Sequence, residues 1–332
     1  MRTAIWRGEG HEGHSGTVRA VAVMPAPAGT FHVLTGGADG TVRRWDPDTG
    51  RQLARLEGHT RSVTSLSVLR DASGAHRIVS GSGDGTARVW DAETGRQLAV
   101  LEGHTGWVND VAVIVGPDGE GCVVTAGDDG TVRVWDANTS RESAVLVGHT
   151  GWVSAVAVLP GPKGDRRIVS GGGDNTILIW NADTGRQLRA LTGHTRSVRA
   201  LTVLADPDGT YRLVSCGGDG GVRVWDPGTS RQLARFGGPA NWARAIAALP
   251  GPGGKHHVIT GGDDWSVRVW DPDTGQELAA LAGHTNWVAA VAALPGADGL
   301  PGIVSGGFDR SILVWAPSTG NATAADSSRL SR

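Results

Sequence analysis

Histidine, hydroxyl and aspartate side chains recur together along this chain of 332 residues, and in one repeat they are His59, Ser80 and Asp84. These are the groups of a hydrolytic triad, in which a base activates a hydroxyl for attack on a carbonyl. However, most of seven repeats carry the same set with a period of 45 residues. A nucleophile needs one exposed position beside an oxyanion hole and a substrate cleft, so seven copies are not required. We therefore predict no catalytic residues and no enzyme activity.

Metal binding is not predicted either. Six of the eleven histidines belong to the repeated set and stand a whole repeat or more apart. The adjacent His256 and His257 fall on a predicted strand, where neighbouring side chains point to opposite faces. No cysteine and histidine cluster has the spacing of a zinc site. We expect no metal and no cofactor.

The elements that must position these groups are short strands. In the second repeat the two-residue alternation of apolar side chains predicts strands at 63–69, 77–80, 86–90 and 96–101, with turn-forming residues between them. Four antiparallel strands every 45 residues, without a helical segment, are typical of a propeller blade. One residue marks the period in every repeat, and it is found at Trp45, Trp90, Trp135, Trp180, Trp225, Trp270 and Trp315. The predicted fold is all-β, a seven-bladed β-propeller of four-stranded antiparallel blades.

The ring needs a closing strand, because the chain after Trp315 lacks the apolar residues of a fourth strand. The N-terminus supplies them, since residues 2–8 precede the first Gly-His much as residues 97–101 precede the third. We predict that residues 2–8 form the outer strand of the seventh blade. The predicted propeller spans residues 1–320, and residues 321–332 form a disordered polar tail.

The spacing from Gly-His to Trp-Asp resembles that of the WD-repeat (WD40) family over essentially the whole chain. Seven tryptophans stand in phase, five of them are followed by aspartate, and six repeats open with Gly-His. The exceptions are Asn181 and Ala316 after the tryptophan, and Pro239 in place of the histidine.

This resemblance implies that the histidine, hydroxyl, aspartate and tryptophan of a repeat form a buried hydrogen-bonded tetrad. Such a tetrad links the Gly-His loop to the third strand and has a structural role. The predicted tetrads of the second, third and fourth repeats are His59, Ser80, Asp84 and Trp90; His104, Thr125, Asp129 and Trp135; and His149, Ser170, Asp174 and Trp180.

The resemblance also implies that three variable positions of the repeat surround the channel mouth on the usual partner-docking face. Three residues past the loop histidine stand Thr17, Ser62, Trp107, Trp152, Ser197, Trp242 and Trp287. Two residues later stand Arg19, Thr64, Asn109, Ser154, Arg199, Arg244 and Ala289. Just before the tetrad aspartate stand Ala38, Gly83, Asp128, Gly173, Gly218, Asp263 and Phe308.

Tryptophan and arginine are enriched at interface hot spots, so the variable positions indicate a docking site. The predicted partner-binding residues are Trp107, Trp152, Trp242, Trp287, Arg19, Arg199, Arg244, Asp128, Asp263, Trp265 and Phe308. Two other interpretations stay open: the aromatic side chains merely plug the channel, or Trp107 and Trp152 are copies made by repeat duplication. The sixth repeat departs most from the others, with Pro239, Ala243 and Trp265 in place of the usual residues. It favours the sixth and seventh blades as the preferred edge of the site.

The sequence thus favours a non-enzymatic scaffold that binds a protein or peptide at the channel mouth, with an acidic segment reaching the arginines. One alternative is a propeller that binds a small ligand or sugar, or an enzyme, using the same mouth. However, the constant period leaves no room for an inserted lid or catalytic loop. Another alternative is an idealised or recently amplified structural propeller without a dedicated partner.

Composition narrows the possible partners and the cellular compartment. The net charge of −2 gives no global basic field for nucleic acid. No run approaches the ~18 apolar residues of a membrane helix, and the first ten residues lack the apolar stretch of a secretory signal. Cys122 and Cys216 fall at different phases of the repeat and are predicted to be free buried thiols. We expect a cytoplasmic monomer that binds neither nucleic acid nor membrane.

Overall fold

Seven four-stranded antiparallel sheets, one for each repeat, make up the fold in a computed structural model. The structure describes residues 2–6, 13–71, 73–115, 121–161, 165–237, 243–296 and 301–316. Strands are numbered β1 to β28 in chain order, and blades 1 to 7 in the order of their first strands. Among the residues described, two short 3-10 helices lie at Pro27–Gly29 and Pro252–Gly254. Within the described ranges, none of the helices has the length and apolar character that crossing a membrane requires.

The first two strands of each blade form its inner half. The first strands contact one another around the channel, and they are β2 (Val18–Pro25), β6 (Val63–Arg70), β10 (Val108–Val115), β14 (Val153–Pro160), β18 (Val198–Ala205), β22 (Ala243–Pro250) and β26 (Val288–Leu294). The second strands are β3 (Phe31–Gly37), β7 (His76–Ser82), β11 (Gly121–Gly127), β15 (Arg166–Gly172), β19 (Tyr211–Gly217), β23 (His256–Gly262) and β27 (Gly302–Gly307).

The two outer strands complete each blade. The third strands are β4 (Val42–Trp45), β8 (Thr86–Asp91), β12 (Thr131–Asp136), β16 (Ile177–Asn181), β20 (Gly221–Asp226), β24 (Ser266–Trp270) and β28 (Ile312–Ala316). The fourth strands are β5 (Gln52–Leu56), β9 (Gln97–Glu102), β13 (Glu142–Val147), β17 (Gln187–Leu191), β21 (Arg231–Gly237), β25 (Glu277–Ala282) and β1 (Arg2–Trp6). The strands predicted for the second repeat are confirmed, with ends that differ by one or two residues.

Apolar side chains fill the spaces between blades. Seven buried clusters occur, one at each blade interface. Between blades 1 and 2, for example, Leu34 and Val42 of one sheet pack with Ile78 and Trp90 of the next. Burying each such side chain contributes about 1.5–3 kcal/mol. A single sheet has apolar residues on both faces, so each blade depends on both neighbours.

Ring closure follows the sequence prediction. Strand β1 pairs antiparallel with β28, in a register that places Arg2 opposite Ala316 and Trp6 opposite Ile312. The seventh blade therefore takes its outer strand from the N-terminus, and a cluster that includes Trp45 and Val304 joins blade 1 to blade 7. Of the predicted closing strand, residues 7–8 lie outside the described residues, as does the predicted tail at 321–332.

Both cysteines carry thiols, as predicted, but only one of them is buried. Cys216 is buried, and this burial raises the pKa of its thiol to about 12. The prediction that Cys122 is buried was wrong, since its residue is partly exposed. It is the second residue of β11, and the same repeat position is also partly exposed in blades 1, 2, 4, 5 and 6, where it holds His32, Arg77, Arg167, Arg212 and His257.

One carboxyl group lies where three blades meet. The Asp110 carboxyl accepts hydrogen bonds from Ser65 Oγ of blade 2 at 2.5 Å, from Val156 N of blade 4 at 2.8 Å and from Val111 N of its own strand at 2.9 Å. Burial raises the pKa of Asp110 to about 6, because it disfavours the charged form more than these bonds favour it.

Asp110 makes a pH-dependent contribution to stability. Its folded pKa lies above the unfolded value of about 3.9, so between these values the folded state binds more protons and stability falls as the pH rises. This loss amounts to on the order of 2–3 kcal/mol, because one pKa unit corresponds to about 1.4 kcal/mol.

The Asp110→Asn variant removes this titration. We expect its stability relative to wild type to increase by about 2 kcal/mol between pH 4.5 and pH 7.5. Urea unfolding of both proteins at the two pH values measures the change, and the comparison cancels every other titrating group. A difference in stability that is the same at both pH values would contradict the assignment.

Candidate functional site at the channel mouth

The loops at one end of the ring bring two of the variable positions together. Consecutive strands are antiparallel, so the loop that precedes each first strand lies at the same end as the turn between the second and third strands. A backbone hydrogen bond joins this loop and turn in blades 1 to 5 and in blade 7, for example from Asp128 N to Trp107 O at 2.9 Å and from Phe308 N to Trp287 O at 2.8 Å. We call this end the mouth face.

The remaining variable position, two residues after the first of the loop positions, is a β-bulge in every blade. The pairing of first and second strands shifts register at one residue near the start of each first strand. A bulge leaves one residue unpaired and re-aims its side chain. We call these residues the rim positions, and they are Arg19, Thr64, Asn109, Ser154, Arg199, Arg244 and Ala289.

All seven rim positions line one cavity of about 540 Å³. The other lining residues are Trp107, Asp128, Trp152 and Phe308, which come from the two loop positions. Seven of the eleven predicted partner-binding residues are therefore brought together here. The other four rim positions were not among the predicted partner-binding residues, although they occupy the same repeat position as the three arginines. They are Thr64, Asn109, Ser154 and Ala289.

Two indoles flank the cavity and lean in opposite directions. A Cβ atom added at Gly83 of blade 2 would lie 2.9 Å from the Trp107 ring, so Trp107 covers the preceding blade. A Cβ atom added at Gly173 would lie 2.6 Å from the Trp152 ring, so Trp152 covers its own blade. In both places the absence of a side chain leaves room for the indole. Trp152 remains 44% exposed, which does not favour the interpretation that the aromatic side chains plug the channel.

On the opposite side of the mouth, aromatic and guanidinium groups stack. The rings of Trp287 and Phe308 meet edge to face at 5.1 Å, and the Arg244 guanidinium lies 4.2 Å from the Trp287 centroid. The Arg19 guanidinium lies 5.5 Å from the Phe308 centroid. Trp287 is still 38% exposed, so it offers an apolar surface beside this cluster. Arg244 also forms an ion pair with Asp263.

The sixth repeat differs in the structure as well. Trp265 replaces a residue that is glycine in four of the blades, and it has a φ of 67°. This left-handed conformation costs a non-glycine residue about 1–2 kcal/mol. Trp265 is 50% exposed and lies outside the cavity lining. Pro239 and Trp242 lie outside the described residues.

The predicted tetrads are present as hydrogen-bonded groups. In blade 2, His59 Nε2 lies 2.8 Å from Ser80 Oγ, His59 Nδ1 lies 2.9 Å from Asp84 Oδ2, and Trp90 Nε1 donates to Ser80 Oγ at 2.8 Å. The same contacts occur in the other two predicted tetrads, His104, Thr125, Asp129 and Trp135, and His149, Ser170, Asp174 and Trp180. In blade 6, Trp270 Nε1 donates to Thr260 Oγ1 at 2.9 Å, and Arg268 pairs with Asp264.

Protonation in a tetrad follows from its electrostatics. Burial would raise the pKa of Asp84, but hydrogen bonds from Thr86 and His59 outweigh it and lower the pKa to about 2. Burial also lowers the pKa of His59, which keeps its ring neutral at pH 7. The ionised Asp84 can only accept, so His59 Nδ1 donates to it and His59 Nε2 accepts from the Ser80 hydroxyl. The hydroxyl thus accepts from the indole and donates to the imidazole.

The positions of the tetrad hydroxyls and of the metal-ligating side chain types bear on catalysis and metal binding. The tetrad hydroxyls, for example those of Ser80, Thr125 and Ser170, belong to residues with 0% exposure, where a substrate cannot reach them. Among the described residues, no group of three or more histidine, cysteine, aspartate or glutamate side chains is arranged to hold a metal ion.

The WD40 family model (WD domain, G-beta repeat) matches the chain seven times, at residues 8–46, 50–91, 95–136, 140–181, 185–226, 230–271 and 275–316. Among curated proteins, no match to the chain is found.

Proposed function

Because the chain belongs to the WD40-repeat family, whose propellers typically act as scaffolds for protein interactions, we propose that it is a non-enzymatic scaffold that binds a protein or peptide at the mouth face. The observation that carries the proposal is the convergence of all seven rim positions on one cavity. These are positions by which otherwise similar repeats differ. Variation directed at a single cavity is what recognition of a specific partner requires, since the scaffold itself supplies no specificity.

The chemistry of the mouth fits a peptide or a protruding loop. A cavity of about 540 Å³ falls within the usual size range of ligand pockets, about 300–1,000 Å³, and the exposed faces of Trp152 and Trp287 lie beside it for the flanking residues. Buried tryptophan and arginine anchors each contribute about 2 kcal/mol or more at interface hot spots. The anchors here are held by the loops and by contacts with Gly83, Gly173 and Phe308, so little side-chain entropy is lost on binding.

The test is affinity capture with a double variant, Trp107→Ala/Trp152→Ala. We expect recovery of the partner to fall at least tenfold, because two anchors of about 2 kcal/mol each are removed. The matched control is Leu98→Ala/Leu233→Ala, which removes exposed apolar side chains from two fourth strands. Circular dichroism and melting curves establish that both variants fold. Undiminished recovery with the folded tryptophan variant, or equal loss with the control, would contradict the proposal.

One observation favours a second candidate, the binding of a sugar or another small ligand. Asn109 Nδ2 donates to Asp128 Oδ1 at 2.7 Å, and this polar pair lies in the same cavity as Trp107 and Trp152. A stacking ring beside a carboxylate and an amide suits a polyhydroxylated ligand. A thermal-shift panel separates the two candidates, because a ligand present at about 100 times its Kd adds about 2.7 kcal/mol of stability.

We also propose that the protein acts as a cytoplasmic monomer. The thiols of Cys122 and Cys216 suit a reducing compartment. Within one chain, the N-terminal strand β1 already completes the seventh blade, so no strand from a second copy is needed.

A further inference from the structure

Three arginines form an arc on one side of the mouth cavity. Arg199 stands on blade 5, Arg244 on blade 6 and Arg19 on blade 1, and all three line the cavity. Blade 7 places the small side chain of Ala289 between the last two, so the arc surrounds an opening. We call Arg19, Arg199 and Arg244 the arginine arc.

Positive charge exceeds negative charge within the arc. The ion pair of Arg244 with Asp263 offsets one of the three charges. Asp128, a carboxylate that lines the cavity, belongs to blade 3 and accepts from Asn109, beside the neutral rim residues Thr64 and Ser154. Charge is thus separated across the cavity, with the cationic side on blades 5, 6 and 1.

Burial makes this arrangement costly without a ligand. Burial lowers the pKa of Arg19 and of Arg199, and in both cases the nearby charge of Arg244 lowers it further. The Arg19 Nε atom is buried and donates to no acceptor among the residues that the structure describes. An anion would satisfy the buried donor and offset the charges of the neighbouring guanidinium groups.

We propose that the arginine arc binds an oxyanion carried by an acidic side chain of the peptide partner, either a carboxylate or a phosphorylated hydroxyl. This inference rests on the proposed function, and it adds the chemistry by which the partner is selected. A guanidinium offers two parallel donors that match the oxygens of a carboxylate or phosphate. The arc lies inside a cavity and not on a flat surface, which suits a side chain that projects from a peptide. Trp287, beside Arg244, is placed to contact the residue next to the anion.

The experiment uses the full chain and two kinds of probe in calorimetric titrations. The first is inorganic phosphate. The second is a set of capped peptides, Ala-Ala-X-Ala-Ala, in which X is phosphoserine, glutamate, glutamine or lysine. We expect the phosphoserine or glutamate peptide to bind at least tenfold more tightly than the glutamine peptide, and the ranking of these two identifies the source of the oxyanion. Affinity for the anionic peptide should fall as sodium chloride is raised from 50 to 500 mM.

The variants locate the site. Arg19→Gln/Arg199→Gln should weaken binding of phosphate and of the anionic peptide at least tenfold. Arg196→Gln, which changes an exposed arginine in the loop before β18, should leave both unchanged. If the double glutamine variant does not fold, the single variants Arg19→Lys and Arg199→Lys take its place, since they keep the charge but lose the paired donors. Each should weaken binding of the anionic peptide by a smaller factor.

The outcomes separate this inference from the proposed function. Phosphate binding that depends on the arc, without binding of any peptide, would support the anion site and overturn its use for a peptide. A second outcome is that the glutamate and glutamine peptides bind equally and that this binding is lost in the Trp107→Ala/Trp152→Ala variant. It would support the scaffold and overturn the inference. Unchanged phosphate and anionic-peptide binding in the folded arginine variant would also overturn it.

Discussion

Replacement of Thr125 by valine is expected to lower the free energy of unfolding by about 2–6 kcal/mol, because it leaves two buried polar atoms without partners and each costs about 1–3 kcal/mol. Thr125 Oγ1 lies 2.7 Å from His104 Nε2 and accepts from Trp135 Nε1 at 3.0 Å. Valine has nearly the same shape as threonine, so the change removes the hydroxyl without opening a cavity. Urea unfolding measures the loss.

Blade 6 provides the matched control. Thr260 is equally buried and accepts from Trp270 Nε1, but Pro239 stands where the other blades have the histidine. Thr260→Val therefore leaves one polar atom without its partner, and we expect a loss of about 1–3 kcal/mol. Equal losses for the two variants would show that the histidine bond contributes nothing, which would contradict the account of the tetrads.

Deletion of residues 1–9 is the second change with a large expected effect. It removes β1 and the five residue pairs that β1 makes with β28. Each net hydrogen bond of such a ladder contributes about 0.5–1.5 kcal/mol, so we expect a loss of about 3 kcal/mol or more and a melting temperature lower by on the order of 5–10 °C. The exposed edge of β28 also becomes available for pairing with another chain.

Removal of residues 321–332 is the control for this deletion. It shortens the chain by a similar number of residues, and the sequence predicts a polar tail there that contributes no blade strand. Differential scanning calorimetry of both truncations compares the melting temperatures. An unchanged melt after deletion of residues 1–9 would contradict ring closure by β1.

Much of the fold could be predicted from the sequence because the same strand pattern recurs seven times. The phase of Trp90 and its equivalents gives the number of blades, and the missing fourth strand after Trp315 indicates where the closing strand must come from. Strand ends were less accurate, since β7 begins at His76 and β9 at Gln97. These ends depend on hydrogen bonds of the turns rather than on apolar alternation.

The candidate site could be predicted in outline only. The variable positions were visible by comparing the repeats, but the bulges that direct Asn109 and its equivalents into the cavity leave no clear signal in the alternation of side chains. The directions of the indoles also escaped prediction, because Trp107 and Trp152 lie in identical stretches of sequence. The residues of the preceding blade determine the direction of each indole, and they are Gly83 for Trp107 but Asp128 for Trp152. Such contacts between blades depend on the closed ring.

Docking at the mouth face is the central claim, and site-specific photo-crosslinking tests it most directly. Thr105 and Thr94 are exposed threonines beyond opposite ends of β9, one in a loop of the mouth face and the other in the turn between β8 and β9. A benzophenone amino acid placed at each position samples the two faces of the same protein. We predict that the captured partner is cross-linked from position 105 and not from position 94. Cross-linking from position 94 alone would place the partner on the opposite face and contradict the account.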